Sequence, residues 1–146
     1  LKVFKQRWYV LAASEYPDGR LLVYGLDRFA EVERTDISYT IPSDFDINEH
    51  FRSFYGVSSL SNAQPEIVQL RIDASQVKFF RTLPLHHSQE EIETTDAYSV
   101  FQYYLVPTFE LTKEILSNGP YIEVLRPLSL RKEIQSKAKQ MAEMYK

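Results

Sequence analysis

The segment EIVQLRIDASQVKFFRTL, residues 66–83, decides the fold of the second half of the chain. EIVQLRI predicts a β-strand, and the residues that follow it predict a helix. Asp73 stands at the N-cap of that helix and Gln76 at its third position, while Pro84 ends it because the residue before a proline disfavours helical geometry. A strand that runs directly into a helix begins a β-α-β arrangement.

The residues downstream continue this alternation. SQEEIETTD (88–96) and YSVFQYYLVP (98–107) predict a pair of hairpin strands. TFELTKEILSNGP (108–120) predicts a helix, and YIEVLRP (121–127) predicts another strand. A last helix is predicted from four apolar residues at helical spacing, namely Leu130, Ile134, Met141 and Tyr145. The order β-α-β-β-α-β-α is that of a ferredoxin-like βαββαβ module with an extra C-terminal helix.

Two strands are predicted upstream, at residues 3–13 and 21–33, with the hairpin-turn residues Pro, Asp and Gly in YPDGR (16–20) between them. Side chains alternate between the faces of a strand. We expect Lys5, Arg7 and Tyr9 to face solvent. The core side of the first strand is expected to carry Trp8, Val10 and Ala12, with Trp8 as a packing anchor. One face of the return strand is expected to carry Leu22, Tyr24, Leu26 and Arg28.

Residues 36–64 are less regular. Asp46, followed three residues later by Glu49, forms a capping-box signature for a short helix in DINEHF. Gly, Ser, Asn and Pro then cluster in a segment that predicts a boundary near residues 57–65. We therefore divide the chain into residues 1–60 and residues 61–146.

Composition limits the classes of protein that the sequence can encode. Its 146 residues, 44% of them hydrophobic, suffice for one ordinary domain or two very small ones. The absence of cysteine excludes disulfides and cysteine nucleophiles, and no apolar run approaches the roughly 18 residues of a membrane span. We expect a cytoplasmic protein. Because the formal net charge is −3, any anion site must be local. The first residues already follow a strand pattern without an initiator Met, so we expect a fragment.

Several segments resemble a known pair of domains. RWYVLAASEYPDGRLLVYGLDRF (7–29) resembles the WYL domain: Trp8-Tyr9-Val10 stands where that family has Trp-Tyr-Leu, and Asp27-Arg28 matches its second signature. The segments that resemble WCX, the C-terminal extension of WYL proteins, are FFRTLPLHHSQ (79–89), VPTFELTKEILSNGPYIEVLRP (106–127) and SLRKEI (129–134). Together these segments cover nearly the whole chain.

The resemblance implies an α+β chain, with a partial Sm-like or SH3-like β-barrel in residues 1–60 and a ferredoxin-like module in residues 61–146. Bacterial regulators of this kind usually carry an N-terminal helix-turn-helix that binds DNA. Their WYL domain is thought to sense a ligand, often a nucleic acid or nucleotide, and the extension helps them to dimerise. The family barrel begins upstream of this sequence, and no helix-turn-helix is present, so we expect promoter binding to lie outside these residues.

The candidate ligand-binding residues lie on the predicted hairpin. Arg7 and Arg28 offer planar donor groups for phosphate and Tyr9 a ring for base stacking, with Lys5 and Tyr24 assisting. The alternative is that alternating Lys and Arg only keep an outer strand soluble. The resemblance favours binding by Arg7, Tyr9 and Arg28. We expect a structural role for Asp27, which either orients the neighbouring arginine or caps a bend.

Other motifs predict no chemistry. His86-His87 could suggest a metal site, but adjacent strand residues point to opposite faces and no third ligand lies at suitable spacing, so we expect this pair to mark a turn. FQYYLV (101–106) lacks the basic-Gly-aromatic signature of RNA-recognition strands, and core or dimer packing is expected there. No glycine-rich phosphate loop or catalytic triad spacing occurs, and the sequence predicts neither an enzyme nor a cofactor.

The sequence therefore predicts the ligand-sensing and dimerisation region of a bacterial WYL-family transcriptional regulator, acting as a homodimer. An anionic effector, either a nucleotide or single-stranded nucleic acid, would shift the arrangement of the two modules. One alternative is a structural dimerisation module, in which the basic hairpin meets an acidic patch on a second copy, formed by Glu90, Glu91 and Glu93. Another is an accessory nucleic-acid-binding domain of a larger enzyme.

Overall fold

A computed structural model describes residues 1–13, 21–38, 40–41, 43–58 and 63–146. The predicted turn at residues 16–20 and the middle of the predicted boundary, residues 59–62, lie outside the described residues. The described part of the chain is of the mixed α+β class, with two antiparallel sheets.

The described elements, in chain order, are β1 (Lys2–Phe4), β2 (Arg7–Ala13), β3 (Leu21–Gly25), α1 (Ile47–Phe51), β4 (Glu66–Asp73), α2 (Ala74–Thr82), β5 (Glu90–Thr94), β6 (Tyr98–Leu105), α3 (Phe109–Ser117), β7 (Ile122–Arg126) and α4 (Leu128–Met144). The predictions for the strands and helices of the second half, and for the short helix α1, are confirmed. None of the described helices combines the length and the apolar character needed to cross a membrane.

The core lies on one face of the second sheet, whose strands run in the antiparallel order β5-β6-β4-β7. Val68, Leu70 and Ile72 of β4 are fully buried beside Phe101 and Tyr103 of β6. The helices and β7 complete this core with Val77, Phe80, Leu111, Ile115, Ile122, Val124 and Leu130. Since each buried side chain of this size contributes about 1.5–3 kcal/mol, this cluster is the main source of stability in the second half.

Side-chain caps fix the starts of α1, α2 and α3, whereas α4 follows Pro127 without a side-chain cap. Asp73 accepts a hydrogen bond from the backbone N–H of Ser75, as predicted for the N-cap of α2. Thr108 caps α3 by accepting from the N–H of Leu111, and its hydroxyl donates to the Tyr55 carbonyl over 3.0 Å. The bond between Thr108 and Tyr55 ties the start of α3 to the first half of the chain.

The first half differs from its prediction. Residues 3–13 do not form one strand, because the chain reverses at Lys5-Gln6 between β1 and β2. Both turn residues have positive φ, 46° and 64°, which is the geometry of a tight two-residue hairpin turn. β3 ends at Gly25 rather than near residue 33, and a 3₁₀ turn follows at Leu26–Arg28. Within the described residues the three strands form an open sheet, β1-β2-β3, without closing into a barrel.

The predicted core side of β2 is wrong. Trp8 is 55% exposed, whereas Tyr9 lies on the opposite face, which turns toward the rest of the chain. Tyr9 lies on the inner side because other residues of its face pack against aromatic side chains in and after α1. Phe4, which shares the inner face with Tyr9, meets the Tyr55 ring edge-on at 5.5 Å, and Lys2 lies over the Phe51 ring.

The predicted common face of Tyr24 and Arg28 is also wrong. We call the sheet β1-β2-β3 the hairpin sheet. Tyr24 pairs with Val10 and lies on its outer face, where the Tyr24 ring stacks on Phe29 at 6.5 Å. The strict alternation on which the prediction depended ends with β3 at Gly25. The 3₁₀ turn that follows rotates the chain and brings Arg28 to the inner side.

Candidate anion-binding cavity

An open cavity of about 800 Å³ lies between the inner face of the hairpin sheet and helix α3. We call it the hairpin cavity. Its described lining residues are Phe4, Lys5, Arg7, Tyr9, Leu21, Leu22, Val23, Arg28, Val57, Ser58, Phe109, Glu110 and Lys113. Binding sites for small ligands typically measure 300–1,000 Å³, so this space could hold a nucleotide-sized molecule.

Four of the five residues predicted as ligand contacts line the hairpin cavity: Lys5, Arg7, Tyr9 and Arg28. Tyr24 does not, because it lies on the outer face of the same sheet. The four reach the cavity from three local structures, since Lys5 is in the β1-β2 turn, Arg7 and Tyr9 are on β2, and Arg28 ends the 3₁₀ turn.

Gly25 allows Asp27 and Arg28 to fold back over the end of β3. A Cβ atom at this position would lie 2.7 Å from Asp27 Oδ1, which is closer than real Cβ contacts, and 3.0 Å from Arg28 Nε, which is tight. Gly25 itself is buried and pairs with Tyr9 of β2. A larger residue at this position would require the exposed ends of the Asp27 and Arg28 side chains to shift.

Arg7 and Asp27 form an ion pair across this fold, with Arg7 Nη1 2.8 Å from Asp27 Oδ2. The side chains are 61% and 46% exposed, so water screens the pair and we expect it to contribute little stability. Asp27 thus orients an arginine, as predicted, but this arginine is Arg7 on the neighbouring strand. An incoming phosphate would have to compete with the Asp27 carboxylate for this guanidinium.

Lys5 connects the hairpin to α3. Its ammonium lies 2.5 Å from Glu114 Oε2, which also accepts a hydrogen bond from the Tyr55 hydroxyl over 2.8 Å. Burial by itself would raise the pKa of Glu114, but the hydrogen bonds from Lys5 and Tyr55 outweigh it and lower that pKa. Burial, followed by the Glu114 contact, raises the pKa of Tyr55 far above its ordinary value, so this phenol stays a donor.

Glu110 brings a negative charge to the cavity wall. Its Oε1 accepts from the backbone N–H of Ser58 at 3.1 Å and from the Ser58 hydroxyl at 2.7 Å. Oε2 is buried and has no hydrogen-bond partner among the described residues. The described lining carries four cationic side chains, but Lys5 and Arg7 are paired with Glu114 and Asp27. The excess of positive charge over Glu110 therefore comes from Arg28 and Lys113, and this excess favours an anion.

Sequence reasoning missed the contribution of α3. Phe109 and Lys113 line the hairpin cavity from this helix, four residues apart and therefore on one face. No local pattern distinguishes them from other exposed helix residues. Only the packing of the hairpin against α3 brings them near Arg7 and Tyr9.

A second cavity, of about 840 Å³, has His86 and His87 in its wall. His86 and His87 lie in a turn between α2 and β5, as predicted. Because they are not on a strand, their rings are not held on opposite faces. The ring centres are 4.1 Å apart, and the Nε2 atom of each lies 2.8 Å from the Arg52 carbonyl, to which both donate because a carbonyl only accepts. Burial lowers the pKa of His86.

Comparison with known proteins identifies the second half. The family model of the WCX domain matches residues 64–142, a little over half of the sequence, and the chain therefore belongs to the WCX domain family. No curated protein matches the sequence. Among solved structures, the Proteasome accessory factor B/C (PafBC) of Arthrobacter aurescens is similar over 88% of this chain, with 19% identity and a TM-score of 0.39. The match spans only 19% of the length of the PafBC chain.

Proposed function

We propose that this chain is the ligand-sensing and dimerisation region of a bacterial WYL-family transcriptional regulator, with residues 1–60 as the WYL domain and residues 61–146 as the WCX domain. Membership of the WCX family supports the regulatory assignment. The strand order β5-β6-β4-β7 supports a ferredoxin-like arrangement for the second module, and β1–β3 would be strands of the Sm-like barrel of the first. DNA contact would come from a helix-turn-helix outside this sequence, in a cytoplasmic homodimer without a catalytic role.

The proposed effector is anionic, a nucleotide or single-stranded nucleic acid, bound in the hairpin cavity. The observation that carries this proposal is the convergence of Lys5, Arg7, Tyr9 and Arg28 on one open space. Guanidinium groups bind phosphate oxygens in a bidentate manner, and an aromatic ring beside them can stack on a base. Tyr24, on the outer face, is not part of this proposed site.

The Lys5–Glu114 contact gives such a ligand a route to the second module. A phosphate that attracts Lys5 into the cavity would weaken its hold on Glu114 of α3. The ligand would then favour an arrangement of the two modules in which this contact is loosened. It can shift the equilibrium only as far as it binds that arrangement more tightly than the other.

Binding of a fluorescein-labelled oligothymidylate of about eight nucleotides tests the proposal by fluorescence anisotropy over a series of salt concentrations. We expect Arg7→Ala and Arg28→Ala to weaken binding and to make the salt dependence shallower, by a slope of about 0.7 for each lost phosphate contact. Arg126→Ala is the matched control, because it removes an exposed arginine of β7 that is not among the described cavity residues. Equal binding by all three variants would contradict the proposal.

The dimerisation alternative makes a different prediction. It requires the carboxylates of β5 to meet the hairpin of a second copy, yet Glu91 is already paired with Arg81 and Glu93 accepts from the Tyr98 hydroxyl. Analytical ultracentrifugation of the same variants separates the two ideas. A loss of dimer in Arg7→Ala, without any oligonucleotide binding by the wild-type chain, would favour the structural role.

A further inference from the structure

Helix α3 presents an aromatic ring to the hairpin cavity. Phe109 is the first residue of this helix, lines the cavity, and is 64% exposed. The bond from the Thr108 hydroxyl to the Tyr55 carbonyl fixes the start of the helix to the first half of the chain. The ring is therefore held at the cavity instead of being buried, and one of its surfaces is accessible to a planar ligand group.

Lys113 places a positive charge beside this ring. It lies one helical turn after Phe109, lines the same cavity, and its Nζ is 5.6 Å from the centre of the Phe109 ring. An exposed lysine–aromatic contact of this kind is weak, so the ammonium can leave the ring for a phosphate. The pair thus offers the two groups that a nucleotide requires, a stacking surface and a cation.

We infer that Phe109 and Lys113 of the WCX domain complete the ligand site, with Phe109 stacking on a base and Lys113 binding the phosphate next to it. The inference rests on the proposed function, because Arg7 and Arg28 would hold the neighbouring phosphate from the opposite wall of the cavity. The ligand class is a phosphorylated nucleotide, either single or within a single strand. Because the two modules share this site, the affinity for the ligand depends directly on their relative position.

Phosphate and base contacts can be separated with two probes, the labelled oligothymidylate and an abasic oligonucleotide of the same length and charge. We expect Phe109→Ala to weaken oligothymidylate binding about fivefold or more, because stacking is lost, and to leave abasic binding unchanged. Phe109→Tyr should restore binding. Phe79→Ala is the matched control, since Phe79 on α2 is also 64% exposed and is not among the described cavity residues.

Lys113→Ala should weaken binding of both probes and reduce the salt slope by about 0.7, the value for one phosphate of a single strand. Lys139→Ala on the exposed side of α4 removes the same charge elsewhere and should leave the slope unchanged. If thymidine 5′-monophosphate displaces the labelled oligothymidylate, the result supports the inference and shows that a single nucleotide suffices as the ligand. If the oligonucleotide binds but the mononucleotide does not displace it, the result supports the inference with a single strand as the ligand.

The outcomes distinguish this inference from the proposed function. If Arg7→Ala weakens binding but Phe109→Ala and Lys113→Ala bind both probes like the wild-type chain, α3 is not part of the site and only this inference is overturned. If the wild-type chain binds neither probe nor the mononucleotide, the proposed function itself is overturned, and the inference with it. Circular dichroism of each variant shows that a loss of binding is not a loss of folding.

Discussion

Replacement of Gly56 by alanine should destabilise the chain far more than the same replacement at Gly119. Both glycines have positive φ, 100° for Gly56 and 56° for Gly119. A Cβ at Gly119 would meet no atom within 4 Å, so Gly119→Ala should cost only the backbone strain of about 1–2 kcal/mol. A Cβ at Gly56 would lie 2.8 Å from Cβ and Cγ of Glu110, close to the backbone of α3, where little room exists to move.

The expected difference follows from these contacts. Overpacking in a well-packed site costs about 1–3 kcal/mol, which should add to the backbone strain in Gly56→Ala. The measurement is equilibrium unfolding in urea, monitored by circular dichroism and extrapolated to water. Equal losses of unfolding free energy in the two variants would refute the reasoning, because they would show that the close approach between Gly56 and Glu110 has no energetic consequence.

Three further changes test other parts of the fold. Phe101→Ala should cost about 3–5 kcal/mol of unfolding free energy, since Phe101 is 1% exposed, whereas Phe79→Ala should stay within about 0.5 kcal/mol; urea denaturation measures both. Gln6→Gly should raise the unfolding free energy by about 1 kcal/mol, because residue 6 has a φ of 64°, and an unchanged or lower midpoint would contradict the turn geometry. Burial lowers the pKa of His86 from its ordinary 6.5, so the unfolded chain takes up the proton first as the pH falls. The unfolding free energy should therefore decrease as the pH drops below about 6.5. In His86→Gln the unfolding free energy should depend less on pH in this range.

The second half of the chain could be predicted from sequence because its signals are local. The N-cap at Asp73, the stop at Pro84 and the cap at Thr108 each depend on a few consecutive residues, and the structure confirms the elements that they bound. The strands of this half also belong to one sheet, so an error of one or two residues in a boundary does not change the order of elements.

The first half could not be predicted to the same extent, because its arrangement depends on distant contacts. Lys5-Gln6 contains neither glycine nor asparagine, so nothing in the sequence indicated a hairpin turn there. The face of β2 with Trp8, Val10 and Ala12 is the more apolar one, yet it lies outside because Phe4, on the other face, packs against Tyr55, which lies far along the chain.

The candidate site was predicted in its residue types but not in its full composition. Side-chain chemistry and the resemblance to the WYL family predict Arg7, Tyr9 and Arg28 as ligand contacts, and all three line the hairpin cavity. Phe109 and Lys113 belong to another element, and their place in the cavity follows only from tertiary packing. Whether these side chains bind an anion stays a prediction.

The most direct test of the central claim is an amide NMR titration of the chain with the unlabelled oligothymidylate. If the ligand enters the hairpin cavity, shifts should concentrate at Lys5, Arg7, Tyr9 and Arg28 and extend to α3 at Lys113. Side-chain signals of the outer face, from the Trp8 indole and the Tyr24 ring, should shift less, since these groups are separated from the cavity by the thickness of the strand layer. Shifts confined to the outer face, or no shifts at concentrations that saturate the anisotropy signal, would contradict the account.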